Sequence, residues 1–402
     1  MLNFINRNLI ILFICQLSFV SGTVILVTIG GLVGTTLAPD PSIGTLPVAL
    51  MVVGTALATI PASLTMQRIG RRKGFLLATM IAISGALCIL LALQQASFLL
   101  FCLGAMLVGS SLGFSQQFRF AAAESVELNH VSYAVSFILV GSIVGAILGP
   151  GLVSYAASQS GANPYALAFQ GAIGLYLLAA AVLLGLRGLE AVNPDDKPQS
   201  GQIRSVTALF RQPIFYTAVL AGVVGQGVMT YVMTATPISM NLSDGYSLEQ
   251  TASVIRAHVV AMYLPSLVTP FLISLIGLRR VMVLGVLAFV VTLVVGLAGK
   301  HYLHYWYAMV LLGVGWNFLF VGGTTLLVKA YEPHERFKGQ AVNDFSVFSM
   351  SALASLCAGT VLHNFGWNIV LVSAVPALII MLIAITLWWQ SERVKTIQQG
   401  DV

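Results

Sequence analysis

Long apolar runs alternate with short polar breaks along this chain. Stretches such as "LIILFICQLSFVSGTVILVTIGGLV" and "WYAMVLLGVGWNFLFVGGTTLLV" stay apolar over windows of about 20 residues. That length crosses a hydrocarbon core of about 30 Å. The pattern predicts twelve spans, at 8–33, 44–66, 74–95, 98–121, 132–155, 164–187, 214–240, 252–276, 281–299, 304–328, 341–364 and 367–389. Backbone groups in lipid must bond within their own segment, so the spans are expected to be helices. The ten-residue alternation of a membrane barrel is not seen. The expected fold class is all-α and membrane-spanning.

The longest polar segment is "RGLEAVNPDDKPQSGQIRSVTALFRQP", Arg187 to Pro213. Its Pro, Gly, Ser and mixed charge mark a linker. The expected organisation is a first bundle of six helices (1–187), a cytoplasmic linker (188–213), a second bundle (214–390) and a cytoplasmic tail (391–402). The bundles repeat each other weakly. Gly70-Arg71-Arg72-Lys73 follows the second span, and Gly277-Leu278-Arg279-Arg280 follows the eighth. Gly109 and Phe114 in the fourth span match Gly313 and Phe318 in the tenth. A six-plus-six repeat is a common plan of secondary transporters, with the solute near the midplane between the halves.

Composition agrees with the pattern: 58% of residues are hydrophobic, 8% are charged, and mean hydropathy is +0.93. The net charge of +6 invites a nucleic-acid partner, but the positions argue against one. Of the 19 Lys+Arg, Lys300 alone falls in the loops opposite the N-terminus, and Arg119 and Arg256 fall within spans. The remainder lie in segments on the N-terminal side. By the positive-inside rule that side is cytoplasmic, and both termini lie there. The first apolar run is too long for a signal peptide and lacks a small-residue cleavage site, so it reads as the first span. Cys15, Cys88, Cys102 and Cys357 are scattered within helices, with neither metal spacing nor a disulfide framework. No metal and no cofactor is expected.

"SLTMQRIGRRKG" between the second and third spans resembles the conserved loop of the major facilitator superfamily, Gly-x-x-x-Asp-Arg-x-Gly-Arg-Arg. Arg68, Gly70, Arg71 and Arg72 match; Ser63 replaces the first Gly and Gln67 the Asp. "GSIVGAILGPG" is similar to the fifth-helix motif of that family's antiporters, with Gly145, Gly149 and Pro150 matching and Val153 departing. The fourth span carries Ala105 where many members have Arg. The resemblance implies the two-bundle pseudo-symmetric fold of that family. It also implies an inner-gate latch, in which the loop's acid approaches the eleventh helix and its Arg pairs with an acid below the fourth. Glu124 and Asp344 are the matching partners. Gln67 brings no charge, so a weaker latch is expected. The plainer alternative is that the cations only set topology.

Ionisable residues inside a membrane are functional candidates by default. The three proton-coupling candidates are His258, Asp344 and Glu124. His258 falls in the outer half of the eighth span, and a reference pKa of about 6.5 suits a proton switch. Arg256 is placed to snorkel outward, with attraction of an anionic solute as the alternative. Arg119 could join Asp344 or Glu124 in the inner gate or serve as an interfacial anchor. The uncharged polar residues give the expected solute contacts: Gln16, Gln116, Gln226, Thr230, Met233, His258, Tyr263, Trp316 and Asn317. Gln226, Thr230 and Met233 share one helix face at i, i+4, i+7. Amides and rings with few charges suit a neutral or amphipathic organic solute. Each taken singly reads as interhelical glue. Pro237 and Pro265 are expected to interrupt the seventh and eighth spans.

The expected function is secondary active transport by alternating access, in a bacterial inner membrane, by a monomer. The partial antiporter motif leans the reading toward proton-coupled export, with uptake of a vitamin-sized metabolite as the alternative. An enzyme would need H-E-x-x-H, paired carboxylates or metal spacing, and none occurs. No charged ring supports a channel, no added soluble domain a sensor, and no phosphate loop a primary pump.

Overall fold

The computed structural model describes residues 5–40, 43–44, 46–159, 164–189 and 204–400. Among them the chain is helical throughout, with turns between helices and no strand. The helices are α1 (Arg7–Leu37), α2 (Leu46–Gln95), α3 (Phe98–Ser115), α4 (Phe118–Glu124), α5 (Val131–Ser158), α6 (Pro164–Leu183), α7 (Val206–Phe210), α8 (Pro213–Ile238), α9 (Leu248–Tyr263), α10 (Thr269–Ile276), α11 (Leu278–Ala298), α12 (Tyr302–Ala330), α13 (Arg336–Ser373) and α14 (Val375–Gly400).

Nine helical stretches among the described residues are long and apolar enough to cross a membrane, or ten when the bent pair formed by α9 and α10 is one span. Two stretches are far longer than one crossing needs. α2 has 50 residues and is broken at Gly70, φ 82 and ψ 164. α13 is broken at Gly366, φ 79 and ψ 175. At 1.5 Å per residue each outruns a bilayer core, and the glycine is where the chain turns.

The chain divides into two compact units, Met1–Gly201 with Gln340–Phe345, and Gln202–Gly339 with Ser346–Val402. In unit 1, α5 packs on α1 through a stripe of small residues. A Cβ at Gly145 would meet the Leu17 carbonyl oxygen at 2.7 Å, and one at Gly149 the Ser21 oxygen at 2.8 Å. Ser21 Oγ donates to the Gly145 carbonyl at 3.2 Å. The fifth-helix motif thus brings two backbones together, with Pro150 inside the same helix.

The boundaries depart from the sequence reading in four places. The fourth span is split into α3 and α4, because Gln117 N–H turns back to the Phe114 carbonyl at 3.0 Å in a tightened turn. The eighth span is bent by 50° between α9 and α10. Pro265 sits in the short 3₁₀ segment Leu264–Leu267 that joins them, and proline supplies no N–H to continue an α-helix. α8 runs through Pro237 and gives way at Ser239–Ser243 to a π turn. α14 continues past 389 to Gly400. Of the linker, residues 190–203 lie outside the described residues. Within its described end α7 forms a short helix, capped by Ser205 Oγ accepting from Ala208 N–H at 3.1 Å.

Candidate functional site

Unit 1 holds a buried network of ions and amides. The loop cations divide sharply: Arg68 and Arg72 are exposed, Gln67 is half-buried, and Arg71 is wholly buried. Gly70 makes that inward turn possible, since positive φ with extended ψ is close to glycine-only. The Arg71 backbone N–H donates to the Leu189 carbonyl at 3.1 Å. Its guanidinium grips Glu124 with two bonds, Nε to Oε2 at 3.2 Å and Nη2 to Oε1 at 2.6 Å. Nη1 donates to Gln117 Oε1 at 2.8 Å, and Nη2 also donates to Gln340 Oε1.

Gln117 relays this to a second ion pair. Its Nε2 donates to Asp344 Oδ2 at 2.7 Å, while Arg119 donates to Asp344 Oδ1. Asn343 Nδ2 adds a bond to Asp344 Oδ1 at 3.0 Å, and Gln340 Nε2 one to Glu124 Oε1 at 3.0 Å. Each carboxylate is therefore matched to one cation, and amides add further bonds to Asp344, Glu124 and Arg71. A buried ion pair holds only when such additional bonds satisfy its lone pairs and protons. Sequence reasoning left Gln117, Gln340 and Asn343 out of this network. The available signal was spacing. Gln340 and Asp344 are one helical turn apart on one face, and Gln117 stands at the break two residues before Arg119.

Unit 2 holds a set of rings and polar side chains in which Trp316 and Phe320 are buried and Gln226, Thr230, Tyr263 and Ser351 are half-buried. Trp316 Nε1 on α12 donates to Gln226 Oε1 on α8 at 2.7 Å. The Trp316 ring stacks on Phe320, with centroids 4.6 Å apart and planes 19° off parallel. Tyr263 meets it edge-on at 5.7 Å and 84°. Thr230 Oγ1 lies 2.9 Å from Ser351 Oγ, and Met233 is half-buried on the same face of α8 as Gln226 and Thr230. Phe320 and Ser351 are members the sequence reading did not single out.

Two other expected contacts lie elsewhere in unit 2. Asn317 is fully buried, and its amide is engaged by the bend beside α9. Nδ2 donates to the Met262 carbonyl at 2.7 Å and to Ser266 Oγ at 2.6 Å, and Oδ1 accepts from Thr269 Oγ1 at 2.7 Å. It therefore satisfies the backbone that the break frees. His258 is also fully buried, with Nδ1 2.8 Å from the Met309 carbonyl oxygen. A carbonyl only accepts, so Nδ1 carries the proton. Nε2 is then a lone-pair acceptor, and among the described residues it has no hydrogen-bond partner. Arg256 is exposed. In unit 1, Gln16 Nε2 donates to Ser142 Oγ at 2.8 Å, and Gln116 is half-buried at the break between α3 and α4. Among the described residues no group of three or more His, Cys, Asp or Glu could hold a metal ion.

A sequence profile described as Major Facilitator Superfamily matches residues 11–262 and 233–400. The chain is 36% identical over 378 residues to the Riboflavin transporter RfnT of Brucella anthropi, spanning 94% of each protein. It is 28% identical over 379 residues to the uncharacterized MFS-type transporter YddS of Bacillus subtilis, covering 90% of this chain and 86% of that one. Among solved structures it is similar to a bacterial homologue of the iron transporter ferroportin in outward-facing state. That match has a TM-score of 0.73 and 14% identity, and covers 96% of this chain and 100% of the other. The E. coli Fucose:proton symporter, FucP, matches with a TM-score of 0.72 and 16% identity over 95% and 99% of the two chains. At such identities the structural likeness speaks for the fold.

Proposed function

The chain belongs to the Major Facilitator Superfamily, and from that premise we propose that it carries a riboflavin-like vitamin into a bacterial cell. The carrying observation is the 36% identity, over 94% of both chains, to a protein named as a riboflavin transporter. It favours the vitamin-uptake alternative over proton-coupled export. The partial antiporter motif on α5 gives export little support, since Gly145 and Gly149 are used in packing against α1.

The rings and amides of unit 2 suit such a solute. A flat heteroaromatic ring stacks on Trp316 or Phe320, and hydroxyl groups of a sugar-alcohol chain match Gln226, Thr230 and Ser351. In this reading the chain crosses an inner membrane twelve times as a monomer with both termini cytoplasmic, and works by alternating access. The Arg71–Glu124 and Arg119–Asp344 network serves as the inner latch. Protons drive uptake, with His258 as the coupling group because Asp344 and Glu124 are already matched to cations. A proton entering down 100 mV supplies about 2.3 kcal/mol before any pH gradient.

The test is uptake of labelled riboflavin by cells that need the vitamin and express this chain as their sole route for it. Concentrative uptake that a protonophore collapses is the expected result. Failure to accumulate riboflavin, with depletion of some other solute from the cells, would return the reading to export.

A further inference from the structure

A second cationic cluster, outside the network and the ring set, lies where α11 begins, beside the Trp389–Arg393 turn of α14. Arg279 and Arg280 occupy the first turn of α11, and Trp389 and Arg393 stand one turn apart on α14. The guanidinium carbons of Arg279 and Arg393 each lie 4.2 Å from the Trp389 ring centroid. Arg280 Nη1 donates to the Ile276 carbonyl at 3.4 Å. Among the described residues no carboxylate pairs with any of these three arginines.

Next to the cations runs a groove of about 510 Å³. Arg279, Arg280 and Trp389 line it together with Ile276, Val283, Leu284 and Ile385. Val283 and Leu284 lie one turn further along α11, and Ile385 lies one turn before Trp389 on α14. The groove therefore changes from cationic to apolar along one direction.

We propose that this groove binds an anionic phospholipid. The phosphodiester is held by Arg279, Arg280 and Arg393, the glycerol region lies against Trp389, and an acyl chain follows the apolar floor. Three features support this occupant together. Three cations gathered with no salt bridge to a carboxylate among the described residues suit an anion. An indole at the end of a span suits the headgroup level. A basic pocket between membrane helices fits an acidic lipid head, and the apolar floor has no use for a free anion.

The experiment uses the full chain in bilayers of phosphatidylcholine alone or mixed equally with phosphatidylglycerol, with one lipid at a time carrying brominated tails that quench tryptophan. Subtracting the Trp389→Phe signal isolates Trp389. The expected result is stronger quenching of Trp389 by brominated phosphatidylglycerol than by brominated phosphatidylcholine in the same mixture. The combined Arg279→Gln, Arg280→Gln and Arg393→Gln variant should lower that preference by about tenfold or more. Equal quenching by the two lipids in the unsubstituted protein overturns the proposal, and that comparison stands even if the triple variant fails to fold. A preference that survives the triple substitution overturns it too. If inorganic phosphate erases the preference, the site is one for free anions and the lipid assignment fails.

Discussion

Arg71 and Glu124 are joined by two hydrogen bonds, at 3.2 and 2.6 Å, between side chains that are 0% and 9% exposed. The pair is shielded from water, so removing one member strands the other. Arg71→Ala should cost about 3–5 kcal/mol of stability, the usual penalty for breaking a buried pair. Arg71→Lys should recover little, because an ammonium cannot reproduce the fork that serves Glu124, Gln117 and Gln340 at once. The double variant Arg71→Ala with Glu124→Ala should melt above Arg71→Ala alone, since no orphan charge remains. Thermal unfolding of the four purified proteins in one detergent checks the order. An Arg71→Ala protein that melts with the unsubstituted chain would reduce the cluster to a topology signal.

Trp316 presents a ring stacked on Phe320 and an N–H committed to Gln226. If a flavin ring docks there, Trp316→Ala loses a stacking partner worth about 0.5–1.5 kcal/mol and an N–H that orders Gln226. The KM for riboflavin should then rise by about tenfold. Trp316→Phe keeps a ring and loses only the hydrogen bond, so it should fall between. Initial uptake rates over a range of vitamin concentrations separate the three. An unchanged KM in Trp316→Ala would place the vitamin elsewhere.

Much of this arrangement was legible in the sequence, for reasons that differ by residue. Gly70 and Gly277 could be paired because each stands before a basic turn, and both hold positive φ, 82° and 88°. Arg71, Glu124 and Asp344 could be nominated because the loop resembles the latch of the Major Facilitator Superfamily, and Arg119 because charge within a span is conspicuous in so apolar a chain. Gln117 could not be assigned its relay role, since a neutral amide has no such contrast and its partner Asp344 lies 227 positions away. The break at Gln116–Gln117 carries no proline or glycine to announce it. Pro265 did announce the bend at α10, but nothing local to "GWNF" says that Asn317 supplies the bonds there.

His258 places a proton acceptor in a closed interior, with Nδ1–H fixed on the Met309 carbonyl and Nε2 without a hydrogen-bond partner among the described residues. A glutamine there keeps a polar group and never titrates. His258→Gln should abolish accumulation driven by a pH gradient while leaving exchange of labelled for unlabelled vitamin intact. Uptake by the unsubstituted chain should fall as external pH rises, because fewer carriers are proton-loaded. Uptake by the variant should be flat with pH. Proteoliposomes with imposed gradients separate coupling from binding, and a variant with undiminished pH dependence would remove His258 from the proton path.

Gly277 and Gly359 offer a comparison in which one chemical change has opposite expected signs. A Cβ at either position meets nothing within 4 Å, so packing is not at issue. Gly277 holds φ 88 and ψ 150 at the turn from α10 into α11, a region that L side chains enter at a cost of about 1–3 kcal/mol. Gly359 lies within α13, where alanine is the better helix former by about 0.5–1 kcal/mol. Gly277→Ala should lower the melting temperature and Gly359→Ala should leave it equal or higher. Because Gly277 repeats the backbone of Gly70, its loss also probes whether the second basic turn is a built hinge. If Gly277→Ala melts with the unsubstituted chain, the turn is relaxing into a conformation that alanine tolerates, and the glycine there is not required by backbone geometry.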